Sequence, residues 1–292
     1  VLIRDRPTIA ARPAGGAAAA VAPLPAPART PHTQPQPKPA PRTRPPLAVV
    51  PKSTRPHGRL GLLWVGVTVI VIVWSPVAVG IWLALCAGLA GIQTARVWRA
   101  RNEKPMIPLA GAIAAVLPLC AIAGLREMTA AVAVAVVVTL LVRVFAQTKA
   151  PARDVGLTLA IGVVIGLAVA SVVLLRNIGL HAPLLLLAFA AAYDAGAYLV
   201  GTGASSAWEG PAAGIATLIP VTMLSAVILV PPFPEGSPLL LGLVAAILAP
   251  CGPLAGSVLL GERDANAPAL RRLDSLLVMA PIWAWIAAAF LR

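Results

Sequence analysis

The chain has 292 residues, 59% of them hydrophobic and 11% charged, with a formal net charge of +13. Soluble domains carry about 25% charged residues, so the composition excludes an ordinary soluble domain and predicts an all-α, polytopic membrane protein. The positive charge does not indicate nucleic acid: ten of the 23 Lys and Arg lie in the first 59 residues and most others sit in short segments between apolar runs, a placement that suits an anionic membrane face.

Residues 1–59 read as a separate region. Fourteen prolines fall between Pro7 and Pro56, among Ala, Arg and Thr, and no acid follows Asp5 until Glu103. Such a segment cannot bury enough apolar surface to offset its ordering entropy. We expect a disordered, proline-rich cytoplasmic tail rather than a signal peptide, which would place an apolar core soon after a basic start. Residues 60–292 form the predicted transmembrane domain.

Leu60–Ile92 carries no charge and contains Ser75-Pro76 near its middle. One straight helix of that length would reach about 50 Å at about 1.5 Å per residue, too long for a bilayer, so two helices breaking near Pro76 are predicted. The following apolar runs are Ile107–Ala123, Met128–Phe145, Val155–Leu175, Leu184–Val200, Pro211–Val230, Leu239–Leu260 and Leu276–Leu291. Spans need about 20 apolar residues, and the count is about nine transmembrane helices. With the tail inside, inner segments carry Arg96, Arg99, Arg101, Lys104, Arg143, Lys149, Arg153, Arg263, Arg271 and Arg272, and outer ones only Arg126, Arg176 and Arg292. This asymmetry follows the positive-inside rule. It predicts a plasma-membrane protein with its N-terminus cytoplasmic and its C-terminus outside. Trp64, Trp74, Trp98, Trp208, Trp283 and Trp285 fall near predicted span ends, as interface anchors do. Cys86, Cys120 and Cys251 lie in apolar runs without a CxxC or nearby His, so they read as small buried hydrophobes.

Two polar clusters interrupt the apolar sequence. Tyr193-Asp194-Ala195-Gly196-Ala197-Tyr198 leads to Trp208-Glu209-Gly210, and Arg271-Arg272-Leu273-Asp274-Ser275 precedes the last run. A charge at mid-membrane costs about 2.5–3.5 kcal/mol, so Asp194 requires compensation, and a water-filled site is the default explanation. Under the predicted topology both clusters approach the inner leaflet. Carboxylates there can hold Mg²⁺, and Arg can fork onto phosphate oxygens. Gly196, Gly201, Gly203, Gly210 and Gly214 allow close backbone or ligand approach. Helix-packing glycines with interface charges would give the same pattern.

DAGAYLVG, then WEG, a GxxxxS stretch at Gly252–Ser257 and RRLDS before the last span together resemble the integral-membrane phosphatidate cytidylyltransferase (CDP-diacylglycerol synthase) family, best over residues 190–290. The resemblance implies a multi-span enzyme of phospholipid biosynthesis. Such an enzyme joins CTP and phosphatidic acid into CDP-diacylglycerol and pyrophosphate with Mg²⁺. It implies that Asp194, Asp274 and Arg272 are catalytic, and that Asp194, Glu209 and Asp274 are metal ligands. Tyr198, Trp208, Gly210, Ser257, Arg271 and Ser275 would contact substrate. The expected partners are CTP, phosphatidic acid and anionic membrane lipid, with no nucleic acid; a homodimer is allowed but not required.

The chain also departs from that pattern. Ser206-Ala207 stands where the family has Lys-Thr, Gly252-Pro253 where it has Gly-Asp, Gly256 where it has Glu, Leu260-Gly261 where it has Lys-Arg, and Arg271 where it has the first Asp of D-R-x-D. The family's His-Gly-Gly is absent. The acids that remain supply one metal more readily than two. Two readings follow: an active nucleotidyltransferase, or a catalytically impaired paralogue that binds lipid or acts as a scaffold. A transporter is a third, less supported by the absence of an internal repeat.

Overall fold

The computed structural model describes residues 57–145, 152–202, 206, 208–230, 232–261 and 265–291. The tail at 1–56 lies outside these, as do Lys149, Gly203, Ala207, Pro231, Glu262, Arg263, Asp264 and Arg292. The described residues are all-α, without strands. In chain order the helices are α1 (His57–Trp74), α2 (Pro76–Arg99), α3 (Ile107–Ala123), α4 (Leu125–Phe145), α5 (Ala152–Ile178) and α6 (His181–Gly201). They continue with α7 (Glu209–Ile228), α8 (Ser237–Leu248), α9 (Cys251–Leu260), α10 (Pro268–Arg271) and α11 (Asp274–Leu291).

Seven helical segments among the described residues are long and apolar enough to cross a membrane; α8 and α9 together count as one of them. Two further apolar helices, Gly61–Trp74 and Ile107–Ala123, are shorter. The predicted count of about nine therefore holds for seven by length and composition. The outward surface is apolar: Leu62, Ile70, Val134, Val144, Val227 and Val258 are all exposed. Contiguous apolar surface of this kind is stable only in lipid, and the chain is an integral membrane protein.

The break at Ser75-Pro76 forms as expected. Ser75 caps α2, its Oγ accepting from the N–H groups of Val77 and Ala78. Proline has no N–H to donate to the carbonyl four residues back, which here belongs to Ile72. Arg176, at the end of α5, donates from Nε to that Ile72 oxygen at 2.7 Å. Its neighbour Asn177 donates to the carbonyls of Ala121 and Ile122 at the end of α3. One end of α5 thus caps two other helices.

The run Leu239–Leu260 is not one straight helix. It divides into α8 and α9 around Ala249-Pro250, with Pro253 one turn later. Two prolines remove two ladder donors, and helices kink at such positions. The bend lets α9 pack on α11 as well as on α2.

Two sequence readings need correction. Trp283 is not an interface anchor: it is fully buried, its Nε1 donates to Leu241 O at 3.1 Å, and Phe189 meets it edge-on. The indole is held in the core because α8 offers its N–H an acceptor, as a buried Trp requires. Cys251, the first residue of α9, is exposed rather than buried; Cys86 and Cys120 are half-buried.

Candidate functional site

The two polar clusters meet through α6 and α11. Asp194 sits on α6, one turn before Tyr198, and Asp274 opens α11. Ser275 joins them: its Oγ donates to Asp194 Oδ2 at 3.1 Å, and its backbone N–H donates to Asp274 Oδ1 at 3.0 Å. The two carboxylates lie within electrostatic reach of each other. Asp274 is 8% exposed, whereas Asp194 is accessible. Asp274 is therefore held in the packing, while Asp194 is exposed as a residue but turns Oδ2 to the buried Ser275 hydroxyl.

Each acid has a cation. Arg271 Nη1 lies 3.6 Å from Asp274 Oδ2. The same nitrogen lies 3.4 Å from Ser257 Oγ, which itself donates to Pro253 O. Arg272 exerts an attractive field on Asp194 and reaches α1, where a Cβ on Gly61 would fall 2.6 Å from its Nη1. Like charges at close range are tolerated only with such compensation. The hydrogen-bond partner of Asp194 is thus Ser275, with Arg272 near enough to act on its charge.

Close helix approach makes this possible. A Cβ on Gly252 would collide with the backbone oxygen of Asp274, and one on Gly256 would come within 2.9 Å of Asp274 Cβ. On the other side, Gly196 of α6 faces Thr217 and the Ala213 carbonyl, and Gly214 of α7 faces Tyr193. The packing reading of Gly196 and Gly214 is therefore correct, and their contribution to the site is to bring α6 and α7 together. Tyr193 is buried in that contact, while Tyr198 is exposed.

The W-E-G triplet is not joined to the aspartates by a hydrogen bond. Glu209 Oε1 accepts from the Ser206 N–H at 3.0 Å at the start of α7. Trp208 is exposed and Gly210 buried. Among the described residues no three His, Cys, Asp or Glu side chains cluster to hold a metal, so the predicted set Asp194, Glu209 and Asp274 does not form as a triad. The physical reason is local: Glu209 is engaged with the turn that starts its own helix. Mg²⁺ is commonly held by one or two carboxylates, completed by substrate phosphates and water. Asp194 and Asp274, linked through one serine and flanked by two guanidinium groups, fit one such ion.

Sequence reasoning placed Asp194, Ser257, Arg271, Arg272, Asp274 and Ser275, and the structure brings these six together. It missed Gly61, Gly252 and Gly256 as contributors of shape. Gly252 and Gly256 were noted in sequence only as part of the GxxxxS stretch, and Gly61 only as a glycine within an apolar run.

A family model described as the cytidylyltransferase family matches residues 58–260. A search of curated proteins finds no significant match. The matched residues run from the start of α1 to the end of α9 and include Asp194, Trp208, Glu209, Gly210 and Ser257; Arg271, Arg272, Asp274 and Ser275 lie beyond them. The match covers well over half of the 292 residues and holds Asp194 and Ser257, two of the positions that meet at the site, and on it this chain belongs to the cytidylyltransferase family.

Proposed function

We propose that the protein transfers CMP from CTP to phosphatidic acid, giving CDP-diacylglycerol and pyrophosphate in phospholipid biosynthesis. The observation that carries this reading is the Asp194–Ser275–Asp274 linkage flanked by Arg271 and Arg272. Family membership supports CTP-dependent nucleotidyl transfer; the apolar helices around the site favour a lipid acceptor. In this reading the chain makes nine spans, with α1 and α3 as the two short ones. Its basic end faces the cytoplasm at the plasma membrane.

The reaction joins two anions. An oxygen of the lipid phosphate attacks the α-phosphorus of CTP, the bond to the β-phosphate oxygen breaks, and its electron pair leaves with pyrophosphate. Catalysis of this type is largely positioning plus charge stabilisation. Asp194 and Asp274 would hold Mg²⁺, which when bound supplies positive charge against the triphosphate. Arg271 and Arg272 bind phosphate oxygens, Arg271 being oriented by Ser257 and Asp274. Ser275 holds Asp194 in register with Asp274. Tyr198 and Trp208, both exposed, and Gly210, buried at the start of α7, are assigned to substrate contact by their match to the family pattern.

A specific observation favours a second reading, a paralogue with impaired catalysis that binds lipid. Pro253 stands where the related pattern has an Asp and Gly256 where it has a Glu, and a Cβ on Gly256 would come within 2.9 Å of Asp274 Cβ, so the present packing crowds a side chain at that position. Turnover separates the two. Purified protein with Mg²⁺, CTP and phosphatidic acid is expected to release pyrophosphate. Asp274→Asn is expected to lower the rate at least ~10²-fold, about 2.7 kcal/mol of transition-state stabilisation. Absence of turnover in folded wild type refutes the enzyme, and normal turnover in Asp274→Asn removes that residue from the site.

A further inference from the structure

The chain has two tyrosines, and they stand on either side of Asp194 at positions 193 and 198. Tyr198 is exposed, whereas Tyr193 is 1% exposed and one of the largest fully buried side chains. Its ring is pressed between α6 and α7: a Cβ on Gly214 would fall 2.7 Å from Cδ2 and Cε2. The same two helices are tied beside it by Thr217, whose Oγ1 donates to Ala192 O at 2.7 Å. A ring packed this closely carries its hydroxyl in one direction.

That hydroxyl lies within electrostatic reach of Asp194, Asp274 and Cys251, so α6, α9 and α11 all approach it. Among the described residues it has no hydrogen-bond partner. Its neighbours are engaged elsewhere. The Cys251 thiol donates to Ile247 O at 3.6 Å, Asp194 Oδ2 accepts from Ser275, and Asp274 is held by Ser275 and Arg271. No fully buried side-chain nitrogen or oxygen among the described residues lacks a partner. The phenolic oxygen has none, so it touches accessible space, and it does so beside the aspartate pair. A bland account is packing, in which an aromatic ring fills the space opposite Gly214. Phe would fill that space equally well and bring no polar group. A buried Tyr ordinarily finds a partner for its O–H within the protein, and leaving one unpaired is costly.

We infer that Tyr193 is a positioning residue of the aspartate site, its hydroxyl holding a water molecule carried by a divalent cation bound at Asp194 and Asp274. The inference rests on the reading of the two aspartates as a one-ion site and does not depend on turnover. Mg²⁺ sheds its waters reluctantly, and two carboxylates leave coordination positions for them. A phenolic hydroxyl can accept from such a water, and partners one step removed from the ion fix the geometry of what surrounds it. Tyr193 is neutral, so it does this without adding negative charge to a pair of acids already compensated by two arginines.

The test reads metal binding alone. Full-length protein in phosphatidylcholine nanodiscs is titrated with Mn²⁺, and free Mn²⁺ is counted by its electron paramagnetic resonance signal. Melting curves of the metal-free protein are recorded beside it. Wild type should bind Mn²⁺ saturably, and Asp274→Asn should abolish that binding. Tyr193→Phe removes one oxygen and keeps the ring. It should weaken the apparent affinity at least ~10-fold, the scale for partners of metal ligands. Its metal-free melting temperature should stay the same or rise, because no bond within the protein is lost. Affinity within twofold of wild type in Tyr193→Phe overturns the inference and leaves the one-ion reading of the aspartates standing. A Tyr193→Phe protein that melts markedly lower without metal, or fails to fold, overturns it as well, because the hydroxyl would then serve the packing itself. Mn²⁺ binding that survives Asp274→Asn also overturns it, because the ion would sit elsewhere. Absence of Mn²⁺ binding in folded wild type overturns the inference and the one-ion reading together.

Discussion

Removing the Ser275 hydroxyl tests whether the two aspartates act as one unit. Ser275→Ala keeps the backbone N–H that donates to Asp274 Oδ1 and deletes only the 3.1 Å hydrogen bond to Asp194 Oδ2. Ser275 is 2% exposed, so the methyl group of Ala fits without a new contact with solvent. A hydrogen bond to a charged group contributes about 1.5–3 kcal/mol. Asp194 is accessible, so water can replace part of the lost interaction, and the expected loss is about 1–2 kcal/mol. If the bond matters to the reacting geometry, that corresponds to a turnover about 5–30-fold lower. The assay is pyrophosphate release from CTP and phosphatidic acid with saturating Mg²⁺, run beside a melting curve of the same preparation. Ser275→Thr, which keeps a hydroxyl, should recover part of the rate. A folded Ser275→Ala protein with turnover within twofold of wild type would refute the reasoning. So would a drop in melting temperature with no change in rate, which would mark Ser275 as a packing residue only.

Three further outcomes are expected. Single cysteines in a Cys-free background should label from outside at Glu235 and from inside at Asn266, both exposed. External labelling at both sites would show that α8 and α9 do not together cross the membrane as one span. Arg176→Ala should lower stability by about 1.5–3 kcal/mol, the worth of a hydrogen bond from a charged donor, because it uncaps Ile72 O at the Pro76 break; an unchanged melting temperature would show that the carbonyl finds another partner. Gly252→Ala should destabilise by about 1–3 kcal/mol through overpacking, since its Cβ meets the Asp274 backbone. Gly66→Ala, with nothing within 4 Å, should be neutral or slightly stabilising in the same melting assay.

The sequence by itself determined the class, the break at Ser75-Pro76 and the polar residues that stand out from the apolar runs. A membrane chain satisfies its backbone within helices or a closed barrel, and continuous apolar runs rather than the alternation of barrel strands made the all-α architecture legible. The break at Ser75-Pro76 was legible because proline's missing N–H and a serine cap are local chemistry. Asp194 and Asp274 were legible because an acid bordering apolar sequence carries a cost that something must offset. The tertiary structure alone decided which groups offset it. Ser275 and Asp194 are 81 positions apart, and no local rule pairs them. Glu209 looked equivalent to the two aspartates by residue type, yet it is held at the start of α7 by Ser206. Trp283 looked like an interface anchor by position, yet α8 presents it a carbonyl in the core. Gly252 and Gly256 stood out only within the GxxxxS stretch, and it is the packing of α11 against them that gives them a role in the site's shape. Burial, charge cost and proline chemistry act over one or two turns and can be read from the chain. The choice among equivalent partners depends on which helix faces which, and that is settled only when the helices pack.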